Sequence, residues 1–113
     1  MDDLTPQEIN EIKENLANNS DLLNLRASIE AIGNVDRFAI VNLLKKRSYT
    51  ITELEGALNK SQSTISHHIK ILQQQNLIMG IKQGKFTEYE LVKDSFKRMN
   101  SSLIEWFSAI SNW

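Results

Sequence analysis

Cysteine is absent from this 113-residue chain. That excludes disulfides, thiolate metal sites and a cysteine nucleophile, and leaves the compartment undecided. No apolar run is long enough to span a bilayer, and the acidic start Met1-Asp2-Asp3 is unlike a signal peptide. The chain is therefore read as cytoplasmic. Histidine occurs only at positions 67 and 68. Neighbours on a helix point about 100° apart, so this pair cannot chelate one ion. For the same reason Ser66 and His67 cannot form a catalytic pair. There is no phosphate-cradling glycine motif. Glu88 and Glu90 share a strand face, but no metal ligand accompanies them, and they read as the solvated outer face of a hairpin. These absences argue against an enzyme, a cofactor and a metal.

Charge is the next thing the chain has little of, until it is divided. The net charge is −1. Residues 1–36 carry two basic and eight acidic side chains (−6), residues 37–93 nine and four (+5), and residues 94–113 two and two (0). A positive middle flanked by an acidic start is suited to orientation toward a polyanion.

That middle contains the most informative stretch, Ser61-Gln62-Ser63-Thr64-Ile65-Ser66-His67-His68-Ile69-Lys70-Ile71-Leu72. Ile65, Ile69 and Leu72 fall at i, i+4 and i+7, one stripe of a helix. Ser63, His67, Lys70 and Gln74 lie opposite, and all can donate hydrogen bonds. Ser61 is a good N-cap. A capped helix with a polar, donor-rich N-terminal half is what enters a major groove. Gln62, Ser63, Ser66, His67 and Lys70 are the candidates for reading bases. Gln62 suits a bidentate contact with adenine, and Lys70 can reach guanine. Lys60, Ser61 and Thr64 are placed for phosphates. His68 lies nearer the apolar stripe and is expected to pack or hydrogen-bond inside the fold.

The flanking segments give this helix a context. Thr5-Pro6-Gln7-Glu8 is a helix start, with Thr5 as cap, Pro6 in the first turn and Glu8 completing a capping box. Ile9, Ile12 and Leu16 form its stripe. Ser20 is expected to cap a second helix carrying Leu22, Leu25, Ile29 and Ile32, with Gly33 as its C-cap. Asn34 or Asp36 caps a third, whose wide buried face is Phe38, Val41 and Leu44 with Ile40 and Leu43 beside them. Lys45, Lys46 and Arg47 suit its C-terminal dipole. Tyr49-Thr50-Ile51 reads as a brief strand, and Thr52-Glu53-Leu54-Glu55 as a capping box opening a short helix with Leu54 and Leu58 inward. Asn59-Lys60 is the turn before the central helix, and the two helices together form a helix-turn-helix. Leu77–Lys82 and Lys85–Leu91 read as strands about a Gln83-Gly84 turn, the second placing Thr87, Tyr89 and Leu91 on one face. This hairpin is a wing, with Lys82, Gly84 and Lys85 at a tip whose backbone can approach phosphate.

From Asp94 the pattern is helical. Phe96, Met99, Leu103, Trp106, Ile110 and Trp113 form a heptad seam, widened by Ile104 and Phe107. A chain of this size buries roughly two-thirds of its unfolded surface, so apolar surface remains for a partner. A second copy is the economical cover, through Ile9, Ile12 and Leu16 and the C-terminal seam. The alternative is packing of that seam on the chain's own N-terminal helices. The fold expected is mainly α with a small β-hairpin wing. Residues 1–33 form an N-terminal dimerisation segment, 34–92 the winged helix-turn-helix core, and 93–113 a C-terminal dimerisation helix, in one structural domain.

The run from Thr52-Glu53-Leu54 through Ser-x-Ser-Thr-x-Ser-His-His-x-Lys-x-Leu at 61–72 to Asn76-Leu77-Ile78 resembles the ArsR/SmtB family of winged-helix transcriptional regulators. In element order the resemblance covers Asn34 to Leu91, with Arg37 and Leu43-Leu44 where the family usually has such residues. It implies a homodimer, paired through first and last helices, that binds a palindromic operator and represses. Metal-sensing members often carry cysteines where this chain has Thr50 and Thr52. Others hold zinc between their last helices with Asp and His, where Lys93-Asp94-Ser95, Trp106 and Ala109 leave only Asp94. A metal sensor of either kind is therefore not expected. The expected partners are double-stranded DNA and a second copy of the chain. A small effector between the terminal helices is compatible with this, though no residue pattern identifies its chemistry. Two other readings stay open: an architectural, nucleoid-associated protein that coats DNA, and a winged-helix adaptor for other proteins.

Overall fold

The computed structural model describes residues 3–112; Met1, Asp2 and Trp113, the last residue of the proposed C-terminal seam, lie outside it. Among the described residues the order is α1 (Pro6–Asn18), α2 (Ser20–Gly33), α3 (Val35–Leu44), β1 (Tyr49–Thr50), α4 (Ile51–Leu58), α5 (Gln62–Gln74), β2 (Ile78–Gln83), β3 (Phe86–Leu91) and α6 (Lys93–Ser111). The architecture is a winged helix-turn-helix, mainly helical, with a three-stranded antiparallel sheet in the order β1-β3-β2. Among the described residues no helix is long and apolar enough to cross a membrane.

The core sits in the middle of the chain. Ile40 of α3, Leu54 of α4, Ile65 and Leu72 of α5 and Leu77 are fully buried. Val41, Leu44, Ile69 and Ile78 complete the cluster, and Tyr89, Leu91 and Phe96 pack on its edge. The α2 helix adds Ala31 to this core and buries Leu25 separately. No residue of α1 or α6 is buried. The Cα radius of gyration is 17.9 Å and the extents are 60 × 25 × 22 Å. A compact domain of this length would have a radius of about 13 Å. The terminal helices account for the elongation.

Several caps differ from the sequence expectation, each for a local reason. Thr5 does cap α1, accepting from the Glu8 amide at 3.1 Å. Asn19, not Ser20, caps α2, because it also ends α1 in an extended conformation and its Oδ1 meets the Leu22 amide. Gly33 is the last residue of α2 rather than a left-handed cap; Asn34 breaks the helix in a β conformation and caps α3 through the Asp36 and Arg37 amides. Phe38 was expected inside and is 57% exposed. The buried face of α3 is Ile40, Val41 and Leu44, which turns Phe38 outward. Ile51 is helical, not a strand residue.

The capping box of α4 is built on Thr50, two residues before Thr52. Thr50 Oγ1 accepts from the Glu53 amide and Glu53 Oε1 accepts from the Thr50 amide. That backbone hydrogen bond, reinforced by the Arg47 guanidinium, holds the Glu53 carboxyl below its ordinary range. Arg47 donates to Glu53 Oε2 at 3.0 Å and lies 3.8 Å above the Tyr49 ring. The end of α3, the strand β1 and the start of α4 are thus clamped together. Replacing Thr50 by Ala should cost about 0.5–2 kcal/mol, read from urea unfolding, whereas Thr52→Ala should change stability by only a few tenths of that order.

Candidate nucleic-acid interface

The turn between α4 and α5 fixes where α5 begins. Asn59 takes the left-handed conformation (φ 53°), and its amide and that of Lys60 both return to the Glu55 carbonyl. This is the standard way to stop a helix sharply. Ser61 then caps α5 by accepting from the Thr64 amide at 3.3 Å. Ser61 Oγ also donates to Thr64 Oγ1 at 2.9 Å and lies 3.2 Å from Ser63 Oγ. The hydroxyls named for phosphate contact are therefore linked to one another, and the Thr64 hydroxyl proton remains available.

Ile65, His68, Ile69 and Leu72 are the buried side of α5. Gln62, Ser63, His67 and Lys70 are exposed, while Thr64 and Ser66 are half-buried at the margin. A helix with its side chains is about 10–12 Å across, which the roughly 12 Å width of a major groove admits, and from Gln62 to Lys70 it rises about 12 Å along its axis. Lys60 is exposed at the head of the helix, with its Nζ 3.8 Å from Asp36 Oδ2.

The wing is the β2–β3 hairpin that follows α5. Its turn is Gly84-Lys85 and not Gln83-Gly84, because Gln83 is the last residue of β2 and pairs with Phe86. Gly84 has φ +62° at the first central position, where a two-residue hairpin of this kind needs glycine. Lys82, Gly84 and Lys85 are all exposed at or beside the tip. Phe86 joins them at 65% exposure, an apolar tip residue that sequence reasoning did not single out. Gly80 has a separate reason: a Cβ there would sit 2.8 Å from Thr87 Cγ2 and 3.1 Å from the Tyr89 ring. Tyr89 and Leu91 pack on the core as their alternation required. Glu88, read as solvated, is half-buried and accepts from Ser48 Oγ at 2.9 Å, because β3 is the central strand.

The terminal helices carry the remaining candidates. Ile9, Ile12 and Leu16 are exposed along α1. On α6, Phe96, Met99 and Leu103 are half-buried, while Ile104, Trp106, Phe107 and Ile110 are exposed. Leu16, Leu22, Leu23, Leu25, Ile29 and Trp106 line an apolar groove of about 290 Å³ between α1, α2 and α6.

One cluster escaped sequence reasoning. His68 is 7% exposed. Its Nδ1 is 3.1 Å from Arg37 Nη1 and its Nε2 is 3.5 Å from Asp36 Oδ2. Charged residues in the first turn of α3, directly after the Asn34 cap, were the available signal. Burial and the Arg37 charge hold the imidazole below its ordinary value, against the opposing pull of Asp36. A base with a depressed folded value stabilises the fold above its unfolded value, and that contribution is lost as pH falls through the unfolded value toward the folded one. The melting temperature should therefore drop on acidification from about pH 7.5 to about pH 5.5, and less steeply in His68→Asn, as followed by circular dichroism.

Residues 34–79, from the cap of α3 into β2, match the model described as "Bacterial regulatory protein, arsR family". An HTH-type transcriptional regulator of Methanocaldococcus jannaschii is 32% identical over 71 residues, which cover 62% of this chain and 80% of that protein. The transcriptional repressor SdpR of Bacillus subtilis is 36% identical over 62 residues, covering 55% and 69%. The homodimeric winged helix-turn-helix DNA-binding domain of Mb0332 from Mycobacterium bovis superposes with a TM-score of 0.61. It is 14% identical, spans 96% of this chain and 91% of that one, and speaks for the fold. With a polar-faced α5 behind a tight turn, a wing beside it and these relatives, the chain belongs to the ArsR family of DNA-binding transcriptional regulators, which are not enzymes.

Proposed function

We propose that this protein is a homodimeric repressor that binds an inverted-repeat operator and does not respond to metal. The observation that carries the reading is α5: one side is locked into the core while Gln62, Ser63, His67 and Lys70 stand free along its first turns. In this reading Gln62, Ser63, Ser66, His67 and Lys70 meet base edges, and Lys60, Ser61, Thr64, Lys82, Gly84 and Lys85 meet phosphates. Ser66 reaches its base only from the margin of the face.

Two helices α5 must be spaced for successive major grooves, about 34–36 Å apart. The exposed apolar residues of α1 and α6 support pairing of two copies through Ile9, Ile12, Leu16, Trp106 and Ile110, with Phe96, Met99 and Leu103 beneath. Trp113 extends the same seam by sequence, from outside the described residues. On this view residues 1–33 and 93–113 are the dimerisation frame and 34–92 the reading core. The homodimeric Mb0332 domain and the repressor SdpR are consistent precedents. The lack of any cysteine, and of histidine outside positions 67 and 68, supports a signal other than metal.

The testing experiment is selection of bound sequences from random duplex DNA, where an enriched palindrome is expected and its absence rejects the reading. On the selected duplex, Lys70→Ala should weaken binding by about ten- to a hundredfold while leaving random duplex nearly unaffected. Lys82→Ala and Lys85→Ala should weaken both alike and each reduce the salt slope by about one. Sedimentation should show a dimer, and Trp106→Glu should shift it toward single chains. Added zinc, nickel or cobalt should leave operator affinity unchanged.

A further inference from the structure

A recognition helix held only by an apolar stripe can still slide or roll slightly, because packing contacts carry little directional preference. A hydrogen bond from its buried side does not permit that. The α5 helix has such a bond at His68, and it leads across two other helices. Arg37 of α3 donates through Nε to the Ala31 carbonyl in the last turn of α2, and through Nη1 to His68 Nδ1 at 3.1 Å. Arg37 itself is set by the Asn34 cap, whose Oδ1 accepts from its amide. One guanidinium therefore ties the end of α2, the start of α3 and the middle of α5.

The chemistry of the bond is determined by its donor. A guanidinium has no acceptor and does not lose its proton, so Nδ1 must be bare. The imidazole proton is then on Nε2, which faces Asp36 Oδ2 at 3.5 Å. His67, the neighbour of His68, points to the outer face, with the two ring centroids 6.1 Å apart. Neighbouring residues are separated by about 100° around the helix axis, so fixing His68 fixes the angle at which Ser63, His67 and Lys70 are presented.

We infer that Arg37 and His68 are positioning residues: their hydrogen bond sets the rotation of α5 and links it to α2. The inference rests on the reading of α5 as the base-contacting helix. It gives movement of α2 a route to sequence recognition. It also makes recognition sensitive to acid, because a second proton on His68 would bring two donors face to face. The charged and titratable groups around the ring are Asp36 and Arg37 from α3, His67 from α5, and Lys60 from the preceding turn, 3.8 Å from Asp36. On the α2 side, Glu30 borders the hollow beside Arg37 and is paired with Arg26 at 3.9 Å. Only Asp36 at the ring favours the second proton, and burial and Arg37 outweigh it.

Two variants separate positioning from bulk. His68→Asn retains an acceptor where Nδ1 stands and does not titrate; His68→Phe retains the ring and has no acceptor. Affinity is measured for the selected duplex and for random duplex, with a thermal melt of each variant. His68→Phe should lose about tenfold in specific affinity, the loss of one charge-assisted hydrogen bond, with random-duplex binding nearly unchanged. His68→Asn should stay near the parent at about pH 7.5 and should lose less specific affinity than the parent on going to about pH 5.5. Equal loss on both duplexes, or no loss, in a folded His68→Phe overturns the inference. Nitrogen-15 spectra of the parent's two histidines provide a test independent of folding by any variant. One ring should show a bare Nδ1 and a protonated Nε2 at about pH 7.5 and take up its second proton below the ordinary imidazole range. A His68 ring protonated at Nδ1, or averaging between tautomers, overturns it. If the parent prefers no duplex at all, the base-reading assignment fails, and the nitrogen spectrum still decides the Arg37–His68 bond.

Discussion

The packing of Ile65, Ile69 and Leu72 against Ile40 and Leu54 is the constraint from which the rest of this molecule follows. Each such side chain, fully buried, contributes about 1.5–3 kcal/mol. Together they decide which side of α5 is buried and leave its polar residues on the outer side. A 13-residue helix would be marginal alone in water. Its order comes from this contact, and the Arg37–His68 hydrogen bond adds a directional hold on the same buried side. The turn at Asn59 and the cap at Ser61 decide where the helix starts, and therefore which residues share the exposed side with Lys70.

Around this core the chain divides its labour by charge and by burial. The positive middle holds α5 and the wing, while the acidic start lies on α1, which buries no residue, and α2, which buries Leu25 and Ala31. Ile9, Ile12 and Leu16 of α1 and Ile104, Trp106, Phe107 and Ile110 of α6 stay exposed in the single chain. What joins the two parts is small and specific. Leu25 and Ala31 are the buried residues of α2, and Arg37 adds a hydrogen bond from the end of α2 to His68. Beside the burial of Ala31 in the core, the Arg37 guanidinium is thus a directional link between the end of α2 and the middle of α5.

Much of this was legible in the sequence because the signals were periodic or terminal. The stripe at 65, 69 and 72, the caps at Thr5 and Ser61, and the alternation in β3 each depend on spacing along the chain. The errors came where two local solutions competed. Thr50 and Thr52 both precede a glutamate at a plausible distance, and only the clamp of Arg47 on Glu53 and Tyr49 selects Thr50. Asn19 and Ser20 are equally good caps by type, and the extended backbone that ends α1 selects Asn19. The wing turn moved by one residue because strand pairing, not turn chemistry alone, fixes its register. Phe38 was placed inside on helical spacing, but Ile40 and Val41 had already defined the buried side of α3. The Arg37–His68 bond spans 31 positions in the chain and no short-range pattern encodes it. His68 was correctly expected inside, but its partner was not.

The central claim is that the exposed side of α5 is the surface that meets duplex DNA. Mapping backbone amide shifts of nitrogen-15-labelled protein on titration with its selected duplex tests this most directly. The account predicts the largest changes from Gln62 to Lys70, a second group from Lys82 to Lys85, and little change at Ile9, Ile12 or Ile104. Changes concentrated on the terminal helices or on Lys45, Lys46 and Lys93, with α5 unmoved, would contradict it.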